Sequence, residues 1–254
     1  MVQGIEKFKE HFKGQAGKYV FIGGTACSLI LEEQGIAFRA TKDLDIVVLI
    51  EVLDEDFIDC FCSFIKQGNY KHINKSKGTE QFYRFDKPES ADYPYMIELF
   101  SRKPEYIKNI DTYLAPLHVE GKDNIQSLSA ILLDEEYYKL LKEGNTQIND
   151  ITVLNVPYII LLKIRAWLDL TERKAKGESI DSKDIKKHKN DVFRLLGVVQ
   201  PDEKVILNDK VEGDVSNFLH KIKDESINLK DLGIKGTTYE QMLELLKNVY
   251  LNEG

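Results

Sequence analysis

The order of four short segments near the N-terminus constrains this chain more than any other feature. Tyr19-Val20-Phe21-Ile22 is apolar, Gly23-Gly24-Thr25 follows it, and Ala26, Leu29 and Ile30 then recur at helical spacing up to Gly35. Asp43-Leu44-Asp45 leads into a second, nearly continuous apolar run, Leu44–Ile50. The pattern predicts a strand over Tyr19–Ile22, a glycine turn, a helix over Thr25–Gln34 and a strand over Leu44–Ile50 covered on both faces. At about 1.5 Å per residue, that helix carries the chain about 15 Å from the turn. The mostly extended return, at about 3.3 Å per residue, is long enough to bring the aspartates back beside it. On a strand, Asp43 and Asp45 project from one face and Leu44 and Ile46 from the other. Two carboxylates beside a glycine turn at a helix N-terminus make a site for a metal-bound polyphosphate. Taken separately, the halves read as a tight turn and a solvated strand end. In this order the site reading is the stronger.

The rest of the sequence sets bounds on that reading. With 254 residues, an apolar fraction of 43% and 12 Phe beside 12 Tyr, a packed core in one large domain or two small ones is expected. No apolar run is long enough to span a bilayer, and Met1–Lys13 is charged and amphipathic, so neither membrane attachment nor a cleavable leader is expected. Cys27, Cys60 and Cys62 lack metal-type spacing and read as buried free thiols, which fits a cytoplasmic protein. A formal net charge of −7 weighs against nonspecific coating of nucleic acid. Seven basic residues nevertheless fall between Arg173 and Lys189. Such a run is ordinarily a solvated face; a patch for a phosphorylated substrate is the alternative.

Along the chain, residues 1–16 read as a lead-in helix with Ile5, Phe8 and Phe12 on one stripe and Gly14 as its stop. Asp54 caps a helix over Asp56–Lys66 that Gly68 closes, and strands follow at Tyr70–Ile73, Gln81–Phe85 and Tyr95–Phe100. Leu117–Val119 and Ile125–Ile131 are further strand candidates, and Glu135–Leu141 reads as a helix. After a strand at Ile151–Leu154, Asn155-Val156-Pro157 starts an apolar helix over Tyr158–Leu170. Lys176-Gly177-Glu178 is a turn, and helices at Ser182–Leu196, Val211–Ile222 and Thr238–Tyr250 complete the chain. The expected fold is α/β (α+β): a mixed sheet with flanking helices over residues 1–150, then a helical half over 151–254.

Three further positions bear on chemistry. Glu98 interrupts the apolar Tyr95–Phe100 segment, where a charge must be exposed, paired or metal-bound. An edge strand in solvent accounts for it alone; beside Asp43 and Asp45, a three-carboxylate cluster is more economical. Such a cluster suits two Mg²⁺ ions, with Asp43 and Asp45 bridging both and Glu98 holding the one nearer an attacking hydroxyl. Lys163 lies inside the apolar helix, either snorkelling to water or aimed at a triphosphate. Lys187 and Asp191 are four apart: a surface pair, or a phosphate contact with an acid that orients a lysine. His188 reads as a capping or packing residue rather than a base.

Together, Gly23-Gly24-Thr25, Arg39-x-Thr41-x-Asp43-Leu44-Asp45 and Glu98 resemble the nucleotidyltransferase (polymerase-beta-like) superfamily. The Lys163 helix and Lys187–Asp191 look like the C-terminal motifs of its AbiEii toxin-like branch, so the resemblance spans about residues 17–196. It implies that Gly23, Gly24 and Thr25 hold the triphosphate, that Asp43, Asp45 and Glu98 bind metal, and that Lys163 and Lys187 meet the nucleotide. The implied activity is Mg²⁺-dependent transfer of a nucleoside monophosphate from an NTP, such as ATP, to a hydroxyl on tRNA, a protein or a small molecule. The branch further implies a toxin restrained by an antitoxin protein. A non-catalytic nucleotide-binding or interaction protein that keeps the fold is the alternative.

Overall fold

The computed structural model describes residues 2–33, 35, 43–49, 54–70, 72–75, 82–100, 134–225 and 227–251. By internal contacts the chain divides into one unit of residues 1–133 and 141–155 and a second of residues 134–140 and 156–254.

The first unit is built on a mixed sheet. In chain order its elements are α1 (Ile5–His11), β1 (Tyr19–Phe21), α2 (Gly23–Glu33), β2 (Asp43–Val48), α3 (Glu55–Gly68), β3 (His72–Lys75), β4 (Phe82–Asp86) and β5 (Met96–Phe100). Strands β6 (Asn145–Ile148) and β7 (Ile151–Leu154) complete the sheet, and helix α4 (Glu135–Glu143), which precedes them in the chain, belongs mostly to the second unit. The strand order among the described residues is β3-β4-β5-β2-β1-β7-β6. Strand β2 is central, as its apolar run predicts, and Leu44, Ile46, Val47 and Val48 are all buried. It runs antiparallel to β1, with Phe21 opposite Ile46, and parallel to β5, with Asp45 opposite Glu98. Antiparallel pairing puts the start of β2 beside the end of β1, so the aspartates return to the glycines.

Against this sheet the aromatic residues form a cluster. Phe8 stacks on Phe12 with ring centroids 4.0 Å apart, and Tyr19, Phe21, Phe57 and Phe64 pack around them. Buried aromatics of this size supply much of a core's apolar area. The expected lead-in helix forms, and its Ile5 and Phe8 are buried.

Several boundaries move for identifiable reasons. Helix α2 starts at Gly23, not Thr25, so the glycines form its first turn instead of preceding it. Helix α3 ends on Asn69 in the left-handed conformation rather than at Gly68, while Asp54 caps its start by accepting the Phe57 N–H. Of the predicted strand starts, Tyr70 and Tyr95 lie outside β3 and β5. Strand β6 escapes sequence reading because Asn145-Thr146-Gln147-Ile148 is polar; it pairs β7 through a turn with Asn149 and Asp150 at positive φ. The strand candidates at 117–119 and 125–131 lie outside the described residues.

The second unit is helical. It holds α5 (Val156–Ala175), α6 (Ser182–Leu196), α7 (Asp209–Ile222), a short 3₁₀ turn at Leu229–Leu232 and α8 (Tyr239–Tyr250). Helix α5 buries residues around most of its circumference, including Ile159, Ile160, Leu161, Leu162, Ile164 and Leu168. Trp167 of α5 meets Phe218 of α7 edge to face at 5.0 Å. Asp214 of α7 accepts the Tyr137 hydroxyl at 2.7 Å and lies 3.3 Å from the Arg165 guanidinium. Burial, then that carboxylate, raises the Tyr137 phenol well above its ordinary range. No described helix is long and apolar enough to cross a membrane.

Candidate functional site

The junction of β1, α2 and β2 concentrates chemistry into a small space. Gly23, the first residue of α2, has φ +62, and a Cβ built there would lie 2.1 Å from Oδ2 of Asp45. Only glycine tolerates both the left-handed backbone and the carboxylate. The Asp45 carboxylate thus sits against the first residue of a helix, where the positive end of the helix dipole favours an anion. Behind it the backbone is fixed by hydrogen bonds. The Ile22 N–H donates to the Asp45 carbonyl at 3.0 Å, and the Thr25 hydroxyl donates to the Asp43 carbonyl. Gly24 and Thr25 are buried, whereas Asp43 and Asp45 are half-buried. Thr25, read from sequence as a phosphate contact, therefore uses its hydroxyl to tie the start of β2 to α2.

Glu98 lies in register with Asp45 on the neighbouring strand, but its carboxylate is engaged elsewhere. Arg84, its cross-strand partner on β4, donates from Nε to Glu98 Oε1 at 2.8 Å and also from Nη2 to the same oxygen. The third carboxylate of the expected cluster is thus paired with Arg84 in this structure, one strand away from Asp45. Among the described residues, no group of three or more His, Cys, Asp and Glu side chains is arranged to hold a metal. Asp43 and Asp45 still offer hard oxygen donors, and Mg²⁺ is ordinarily held by one or two carboxylates, with water and substrate phosphates completing its shell. The pair fits the ion on those terms.

In the second unit, Lys163 does not snorkel to water. It is buried on α5, with Nζ 3.5 Å from Oδ2 of Asp191 on α6. Asp191 is 1% exposed and also meets the Arg194 guanidinium at 3.3 Å. Asp191 therefore faces Lys163 and Arg194 rather than solvent. Lys187 is exposed, and the expected Lys187–Asp191 surface pair gives way to Asp191 turning inward.

Sequence reasoning missed Arg84 and Arg194. Arg84 was legible in principle, because it interrupts the apolar Tyr83-Arg84-Phe85 alternation one strand from the equally misplaced Glu98. Arg194, three residues after Asp191, carried the spacing of a helix pair.

No model of a known protein family matches the chain, and no protein of curated function does. Among solved structures, the chain is similar to an antigenic nucleotidyltransferase-like protein from Paracoccidioides brasiliensis. That likeness has 15% identity and a TM-score of 0.40, over 89% of this chain and 88% of that one. A second similar structure is a cytoplasmic RNA terminal U-transferase, with 11% identity and a TM-score of 0.24, over 82% of this chain and 68% of that one. Likenesses this distant assign no residue a role.

Proposed function

We propose that this chain is a Mg²⁺-dependent nucleotidyltransferase that moves a nucleoside monophosphate from an NTP to a hydroxyl acceptor. The observation that supports it is the setting of Asp43 and Asp45: two carboxylates at the start of a central strand, one of them against the glycine that opens a helix.

In this reading the acceptor hydroxyl oxygen bonds to the α-phosphorus and loses its proton to water, the bond from that phosphorus to the α–β bridging oxygen breaks, and pyrophosphate leaves with that oxygen. Asp43 and Asp45 would hold Mg²⁺, and Thr25 positions Asp43 by fixing its carbonyl. Gly23 and Gly24 admit the phosphates close to the backbone at the start of α2. When bound there, the metal would activate the hydroxyl and stabilise charge on the leaving pyrophosphate. A second ion would require Glu98 to exchange Arg84 for metal. Lys163 and Lys187 are assigned to the nucleotide by the family resemblance alone. The acceptor classes are a tRNA end, a protein side chain or a small molecule. The toxin role predicts growth arrest on expression, relieved by a partner protein.

Pyrophosphate release from each NTP, with and without Mg²⁺ and with tRNA, protein or an aminoglycoside present, tests the reading. Release that needs Mg²⁺ and disappears in Asp43→Ala supports it; undiminished release in Asp43→Ala contradicts it. The Arg84–Glu98 pairing favours a second reading, a nucleotide-binding protein without catalysis. It predicts Mg²⁺-dependent NTP binding and no pyrophosphate from any nucleotide.

A further inference from the structure

The basic run of the second unit does not merely face solvent. Between α6 and the 3₁₀ turn lies a cleft of about 710 Å³, lined by Lys186, Lys189, Arg194, Asn190, Asn228 and Asp231 among others. That volume lies within the range of small-molecule sites, about 300–1,000 Å³. The charged lining of the cleft is three cations, Lys186, Lys189 and Arg194, and one carboxylate, Asp231. Lys189 is paired with Glu225 and Arg194 with Asp191, whereas Lys186 is exposed and meets no acid among the described residues.

The cleft meets the Lys163–Asp191 pair only through Arg194, which lines the cleft and contacts Asp191. At 3.6 residues per turn, Ser182, Ile185, Lys186 and Lys189 share one stripe of α6, and Asp191 lies nearly opposite it. The cleft is also not purely ionic, because Ile185, Ile227 and Leu232 contribute apolar surface. Asn228 accepts the Lys230 N–H through its side-chain oxygen at 3.2 Å, which leaves its amide group as a donor.

We infer that this cleft binds a phosphate-bearing organic anion of nucleotide size. Lys186, with Lys189 and Arg194, would meet the phosphates, the two asparagines would hydrogen-bond, and the apolar side chains would cover the organic body. The inference stands independently of the proposed catalytic reading, since no residue of the β1–α2–β2 junction takes part.

Calorimetric titration of the full chain with ADP in EDTA, beside inorganic phosphate, tests it. One saturable ADP per chain is expected, bound more tightly than phosphate and retained in the Asp43→Ala/Asp45→Ala variant. Lys186→Glu should weaken it at least tenfold, and Asp231→Asn should tighten it about threefold by removing the opposing charge. Both substitutions are at exposed positions, so the fold should tolerate them. No binding, binding indifferent to both variants, binding lost with Asp43 and Asp45, or phosphate bound as tightly as ADP would overturn the inference.

Discussion

At Gly23 one added carbon has two consequences. A left-handed backbone costs a non-glycine residue roughly 1–2 kcal/mol, and the new methyl would displace the Asp45 carboxylate. Gly23→Ala should therefore lower stability modestly and transfer steeply, about 100-fold, because a misplacement of about 1 Å costs that much. Thermal melts beside initial transfer rates check the split; equal activity would detach Gly23 from the site. Asp191→Ala acts on stability instead. It leaves the Lys163 ammonium without its buried partner, at an expected cost of about 3–5 kcal/mol. Urea denaturation reads that loss, and a change below about 1 kcal/mol would mean that water replaces Asp191. Single residues were legible where they broke a pattern: two acids entering an apolar run, or a lysine inside an apolar helix. Their partners were harder to read, because Glu98 chooses Arg84 through strand register, which no spacing within one strand encodes.

At the scale of elements, long periodic segments and capped ends read correctly. Ser182–Leu196 and Ile151–Leu154 form with the predicted bounds, and Thr238 caps α8 in a reciprocal arrangement with Gln241. Thr238→Ala removes that cap and should cost about 1 kcal/mol, visible as a lower unfolding midpoint. An unchanged midpoint would show that α8 is held by packing alone. What failed was polar or marginal by local criteria. Strand β6 is specified by its partner β7 rather than by its own side chains, and α5 continues through the polar Thr171–Ala175 turn because its earlier turns are buried. The start of α2 moved because a glycine at positive φ can open a helix as readily as precede one.

Over the whole molecule, a thiol and a phenol that stay neutral in the folded chain set an alkaline limit. Burial pushes the Cys62 thiol from 9.0 up to about 11, with the Lys66 charge opposing it. In the other unit, burial and then Glu225 and Glu240 push the Tyr239 phenol from 10.0 up to about 12. Both folded values are raised, so their contribution is complete below pH 9.0 and is lost as pH rises through about 11 and then about 12. The urea midpoint should fall across that window, and Cys62→Ala should lessen the lower part of the fall, to which the Cys60 thiol, also raised by burial, contributes. A flat profile would mean that both groups are hydrated in the folded chain.

The central claim is that Asp43 and Asp45 serve nucleotidyl transfer. The most direct test incubates the chain with each α-³²P-labelled NTP, Mg²⁺ and total tRNA or protein, beside Asp43→Ala/Asp45→Ala, and follows the label on a gel. Label on RNA or protein in the wild type, abolished in the variant while its fold persists, is the expected result. Equal labelling by both proteins would contradict it.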